Sequence, residues 1–135
     1  MKTALEKYLE LPGIPAKGKN KLTGKVVEQH FREKDLWLYH PPLPTLAKIF
    51  KIENWADHLI AGLGIDLQHN YLIGDFGVGL SEGLVLDCSV AEPSIRKLQM
   101  KNQEEIEWEC PIVFQCLSDF YEIVLMQVKI THYKK

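Results

Sequence analysis

The sequence predicts an α+β protein, a twisted and mostly antiparallel sheet with helices packed on it. Three observations carry this. The apolar runs Tyr71-Leu72-Ile73 and Leu84-Val85-Leu86 have strong strand propensity and flank a glycine-rich segment. Residues 36–39 (LWLY) read as a further strand. Residues 2–10 and 111–129 instead place their apolar side chains at helical spacing. At 135 residues, the chain is expected to be one domain, 1–135, long enough to bury a core.

The elements follow in order. In 2–10, Leu5 and Leu9 lie at i, i+4, which predicts a short amphipathic helix ended by Pro12-Gly13. Residues 16–25 (AKGKNKLTGK) carry four lysines and two glycines and read as an exposed loop. The lysine segment 17–25 has no interleaved aromatics and is on no helix face, so it lacks the pattern of a nucleic-acid patch. Residues 26–32 fit a strand or a helical turn. The three prolines of 40–44 (HPPLP) require a rigid, extended connector. Residues 45–52 fit a helix through Leu46, Ile49 and Phe50, or a strand through 49–52. Trp55, Leu59, Ile60 and Leu63 predict a helix over 53–66, with Gly62 and Gly64 at its end. After the two glycine-linked strands, 93–100 reads as a strand and 101–109 as a polar turn or exposed strand. The stripe of Val113, Phe114, Leu117, Phe120, Tyr121, Val124, Leu125 and Val128 makes 111–129 the strongest predicted helix, with Pro111 at its first position.

Four glycines, Gly74, Gly77, Gly79 and Gly83, lie within ten residues. A phosphate loop needs a strand, then glycines, then a helix whose first amides face the anion. Here the glycines are followed by strand-like Leu84-Val85-Leu86-Asp87-Cys88, and no Gly-Lys-Ser/Thr is present. The segment therefore predicts an antiparallel hairpin. Cys88, Cys110 and Cys116 lack CxxC spacing and a histidine pair, so no zinc site is expected, and no carboxylate pair marks acid–base catalysis. No catalytic residue, metal or cofactor is assigned. Three thiols without a signal-like N-terminus point to the reducing cytoplasm. No apolar run reaches the length of a membrane span.

Charge is uneven. Residues 1–51 hold ten Lys/Arg against five Asp/Glu (+5), and residues 52–135 hold six against thirteen (−7). An acidic surface repels nucleic-acid phosphates and attracts basic proteins, so the expected partner is a basic protein, with no nucleic acid and no membrane.

The strand Tyr71–Asp75, the glycine turn, Val85-Leu86-Asp87, the step Pro93-Ser94-Ile95 and the closing Leu117-Ser118-Asp119-Phe120 together resemble the SUKH superfamily of bacterial immunity proteins. The likeness covers about residues 45–126, while 1–44 match the family's opening poorly, with Leu11-Pro12 but no Asn-Gly turn. The resemblance implies a SUKH-like α+β fold and a non-enzymatic cytoplasmic protein that occludes the active site of a toxin, of nuclease or deaminase type. An acidic patch suits that task because a nuclease site is basic. Its candidates are Asp75, Glu82 and Asp87 around the hairpin and Glu104, Glu105, Glu107 and Glu109 in the polar linker. Trp108 among them is either an aromatic anchor for the partner or a core residue of an alternating strand. The alternative function is a small-ligand-binding or regulatory domain that uses the turn 74–83.

Overall fold

A computed structural model of the chain describes residues 3–52, 54–55, 62–77, 82–102, 104, 107–127 and 129–133, with the backbone alone for 101–102 and 129–133. Eight strands are described: β1 (Lys19–Thr23), β2 (Asp35–Tyr39), β3 (Asn70–Asp75), β4 (Gly83–Asp87), β5 (Ser94–Asn102), β6 (Glu107–Glu109), β7 (Ile112–Phe114) and β8 (Lys129–Tyr133). They form one antiparallel sheet in the order β6-β5-β4-β3-β2-β1-β8, with β7 sharing the β6 side of β5. The described helices are short: α1 (Ala4–Leu9), α2 (Lys25–Phe31), α3 (Leu46–Ile52) and α4 (Leu117–Phe120), which runs on into a π-helical segment, Tyr121–Leu125. None is long and apolar enough to cross a membrane.

Strand alternation divides the sheet into two faces. Leu22, Leu36, Leu38, Ile73, Leu84, Leu86 and Ile95 form one buried cluster with Tyr8 of α1, Val27 and Phe31 of α2, and Phe120 and Val124 of the last helical stretch. Leu72, Val85 and Leu98 face the other way and pack with Leu46 and Phe50 of α3. All five residues of β4 are buried, because both faces are covered there. A capping box starts α1: the Thr3 hydroxyl accepts from the Glu6 amide at 3.1 Å, and the Glu6 carboxylate accepts from the Thr3 amide at 3.2 Å.

The predicted antiparallel pairing of the two glycine-linked strands is found, with Tyr71 opposite Leu86 and Asp75 opposite Gly83. Residues 78–81, including Gly79, lie outside the described residues. Gly74 is required by close approach: a Cβ there would stand 2.6 Å from the Trp37 carbonyl oxygen on β2. Gly77 takes φ +81°, and its amide donates to Asp75 Oδ1 at 2.8 Å, closing a tight turn. Backbone packing thus accounts for both glycines without a ligand.

Three expectations are corrected. The lysine segment is not a free loop, because Lys19–Thr23 pairs with both β2 and β8. Its Asn20 is buried and donates to the Gly13 carbonyl at 2.6 Å, which makes a polar residue tolerable inside. The helix predicted over 53–66 does not start there: α3 ends at Ile52, Asn54 is left-handed at φ 57°, and 62–66 are non-helical. Residues 56–61 lie outside the described residues. The helix predicted over 111–129 begins only at Leu117, after β7. Ile112 pairs with Arg96 and Phe114 with Ile95, so the open edge of β5 captures residues whose local spacing reads as helical. The helical stretch then ends in a π turn, with the Met126 amide donating to the Tyr121 carbonyl at 2.9 Å, and the chain returns as β8.

Candidate functional site

Among the described residues, the buried charged side chains are Asp87 of β4 and Lys97 of β5. Lys97 stands opposite Leu84, which puts it on the face of the larger cluster, and it is only 6% exposed. Burying an ammonium is expensive unless it is fully paired, and this one is. Its Nζ donates to the Phe31 carbonyl at 3.0 Å and to both Glu33 carboxylate oxygens at 3.1 and 3.3 Å. Glu82 Oε2 completes the set at 3.5 Å, and the ammonium sits 5.2 Å from the centroid of the Phe76 ring. The Phe31 carbonyl is available because α2 stops there, with Arg32 left-handed at φ 66°.

Gly83 is opposite Leu98, so Glu82 lies at the end of the ladder, beside Lys97 and Gln99. Gln99 follows Lys97 on the same side of β5 and donates to Glu109 Oε2 at 2.7 Å. Glu33, Glu82 and Glu109 therefore meet at one corner, where a single buried cation offsets part of their charge. Glu107 is exposed one step along β6, and Glu104 is exposed in the β5–β6 connection. Among the described residues, no group of three or more His, Cys, Asp or Glu is placed to hold a metal ion.

The other predicted site residues are dispersed. Trp108 is half-buried and belongs to the smaller cluster, 4.7 Å from Trp55, which stacks on Phe50 at 4.6 Å. Alternation along β6 points it away from Glu107 and Glu109. Asp75 accepts a hydrogen bond from the Tyr39 hydroxyl; burial first, and then this partner, push the Tyr39 phenol well above its ordinary range. Glu105 lies outside the described residues.

Asp87 is not part of an acidic surface, and this corrects the sequence reading. It is 4% exposed, and its carboxylate accepts from the Ser89 amide and hydroxyl at 2.9 and 2.5 Å and from Arg96 Nε at 2.9 Å. Burial alone would raise its pKa; the bonds from Ser89 and Arg96 outweigh burial and hold it below the usual value. Arg96 also donates to the Cys110 carbonyl at 2.7 Å, so the group ties β4, β5 and the start of β7 together. Burial pushes the Cys88 thiol up to about 11 and the Cys110 thiol up to about 12, which keeps both protonated and unreactive at neutral pH.

Sequence reasoning missed Lys97 and Glu33. A signal was present: the wholly apolar Leu84-Val85-Leu86 marks a strand covered on both faces, so a lysine on the strand beside it must be buried and paired. Comparisons of the chain with protein-family models, with curated proteins and with solved structures each find no match.

Proposed function

We propose that the chain is a non-enzymatic binding module of the bacterial immunity type, acting in the cytoplasm. It neutralises a cognate toxin, of nuclease or deaminase class, by presenting an acidic corner to the toxin's basic active site. The fold reading that goes with this is SUKH-like. The observation that carries the proposal is the gathering of Glu33, Glu82 and Glu109 around Lys97 and Gln99, with Glu107 exposed beside them. A basic partner is favoured by such a potential, and association is fast and salt-sensitive. Trp108 contributes by stiffening the β6 strand against Trp55 rather than by standing among the acids.

The test is a calorimetric titration of the chain into the toxic domain encoded beside it, at low and moderate salt. One-to-one binding that weakens with salt and abolishes toxicity is expected. Glu107→Lys with Glu109→Lys should weaken binding at least tenfold through lost steering and new repulsion. Their stability cost should be about 1 kcal/mol, most of it from half-buried Glu109, which loses its bond from Gln99, while exposed Glu107 contributes little. No binding at micromolar concentration, or binding untouched by the double charge reversal, would sink the proposal.

A further inference from the structure

We infer that β8 is a self-association edge, which pairs antiparallel with β8 of a second copy so that the sheet runs on through the dimer. This does not rest on the immunity reading, whose acidic corner lies at the β6 end of the sheet. β8 closes the strand order β6-β5-β4-β3-β2-β1-β8, and each residue of Lys129–Tyr133 pairs with β1. Among the described residues, no strand pairs with its other side, and 129–133 make no backbone hydrogen bond outside the strand ladder. A paired strand turns the amides and carbonyls of alternate residues away from its neighbour. An edge strand therefore keeps a row of them open to another chain. β6 and β7, at the far end, are three residues each, against five in β8.

The occupant follows from reading each edge against itself. A two-fold axis at Thr131 sets Thr131 opposite its own copy, Ile130 opposite His132 and Lys129 opposite Tyr133. No like charges face each other in that register. Lysine opposite tyrosine is a pairing this sheet already uses, at Lys19–Tyr39 and Lys19–Tyr133. Threonine opposite threonine is a favourable cross-strand pair. The same operation on β6, about Trp108, sets Glu107 opposite Glu109 on both sides of the axis, and like charges directly opposite are destabilising. The acidic edge repels its own copy, while the β8 edge accepts it.

The two faces also continue across the joint. Ile130 stands opposite Leu22 and His132 opposite Asn20, which places both on the face of the larger cluster. Across the axis, the row Leu36–Leu22–Ile130 meets His132–Asn20–Leu38 of the second copy. Lys129, Thr131 and Tyr133 share the other face with Thr23, Lys21 and Lys19. A two-fold pairing closes at two copies, since it uses the same strand of each. The paired strand is short, so the contact is small and the dimer is weak.

The experiment is sedimentation velocity of the full chain from about 10 μM to about 1 mM, where a monomer–dimer equilibrium with a dissociation constant on the order of 100 μM is expected. Thr131→Lys and Thr131→Glu each set like charges at the axis and should each weaken association at least about fivefold, with thermal unfolding curves to show that the fold is kept. An equimolar mixture of the two variants sets lysine opposite glutamate and should restore a dimer at least as strong as the original. Glu107→Gln with Glu109→Gln should leave association unchanged. If a Thr131 variant fails to fold, amide exchange of the unaltered chain replaces it. Between the lowest and highest concentrations, alternate amides of 129–133 should slow, and those of β6 should not. A chain that stays monomeric at about 1 mM overturns the proposal. So does association that grows beyond two copies, that the folded Thr131 variants keep, that their mixture does not restore, or that leaves the β8 amides unchanged.

Discussion

Lysines at the two ends of the sheet are handled in opposite ways. Lys19 and Lys21 lie over Tyr39 and Trp37 and keep partial contact with water. Lys97 also lies over a ring, that of Phe76, yet it draws in the Phe31 carbonyl and two glutamates as well. The distances to the three rings are nearly equal, so burial is what differs. A ring offers roughly 0.5–1 kcal/mol to an exposed cation and about 2 kcal/mol to a desolvated one. That is too little to replace the hydration of a buried ammonium, whose penalty is several kcal/mol. The buried lysine must therefore be met by carboxylates, and those carboxylates make its corner acidic. Lys21 is met by Asp35 at 3.5 Å, with both side chains partly exposed, so there water still carries part of the solvation.

The largest effect that would break this contrast is at Lys97. Lys97→Met leaves Glu33 and Glu82 facing a buried apolar group and should cost about 3 kcal/mol in urea unfolding. Lys21→Met, whose ion pair with Asp35 is partly exposed, should stay within about 1 kcal/mol. Equal losses at the two positions would show that burial is not what separates them. Next comes Gly74, where the basic and acidic halves meet as β3 packs on β2. Gly74→Ala brings a Cβ against the Trp37 carbonyl and should cost about 2 kcal/mol, with faster amide exchange along β2 and β3.

A change of opposite sign lies under the basic half. The Tyr8 hydroxyl is buried and has no hydrogen-bond partner among the described residues, and burial raises its pKa far above the ordinary value. Tyr8→Phe removes an unpaid desolvation and should leave stability unchanged or raise it by up to about 1 kcal/mol. A clear loss would reveal a partner for that hydroxyl. The smallest effect is acid sensitivity at Asp87. Its folded pKa lies below its unfolded one, so in that window the unfolded chain binds the extra proton and stability rises with pH. The contribution is complete above the unfolded value, about 3.9, and is lost as pH falls through the folded one. Asp87→Asn should flatten that part of an acid stability profile, and an unchanged profile would assign the acid sensitivity elsewhere.

How much of this was legible depends on how local each cause is. The strands at 36–39, 71–73, 84–86 and 93–100 and the first helix declare themselves through apolar spacing that neighbouring residues carry on their own. β1 does not: of Lys19-Asn20-Lys21-Leu22-Thr23 only Leu22 is apolar, and Asn20 goes inside because the Gly13 carbonyl receives its amide. The stretch 111–129 fails for the converse reason. Its residues suit a helix, but the open edge of β5 takes Ile112–Phe114 first. The acidic corner mixes residues that charge singles out with ones it does not. Of the acids that charge alone singles out, Glu82, Glu107 and Glu109 lie at the corner with Glu33, while Asp87 is enclosed, since nothing local says that Arg96 and Ser89 will surround it.

The sequence by itself determined the α+β class, the glycine-linked antiparallel pair and the basic and acidic halves, because strand propensity, turn chemistry and charge are properties of short stretches. Only the tertiary structure decided which charges are buried and which rings meet which lysines. Register across β1–β2 put Trp37 and Tyr39 beside Lys21 and Lys19, and register across β4–β5 put Lys97 in the core. Those neighbours are 16 residues apart for Lys21–Trp37, 20 for Lys19–Tyr39 and 64 for Glu33–Lys97, so their contact is a consequence of strand pairing and not of local preference.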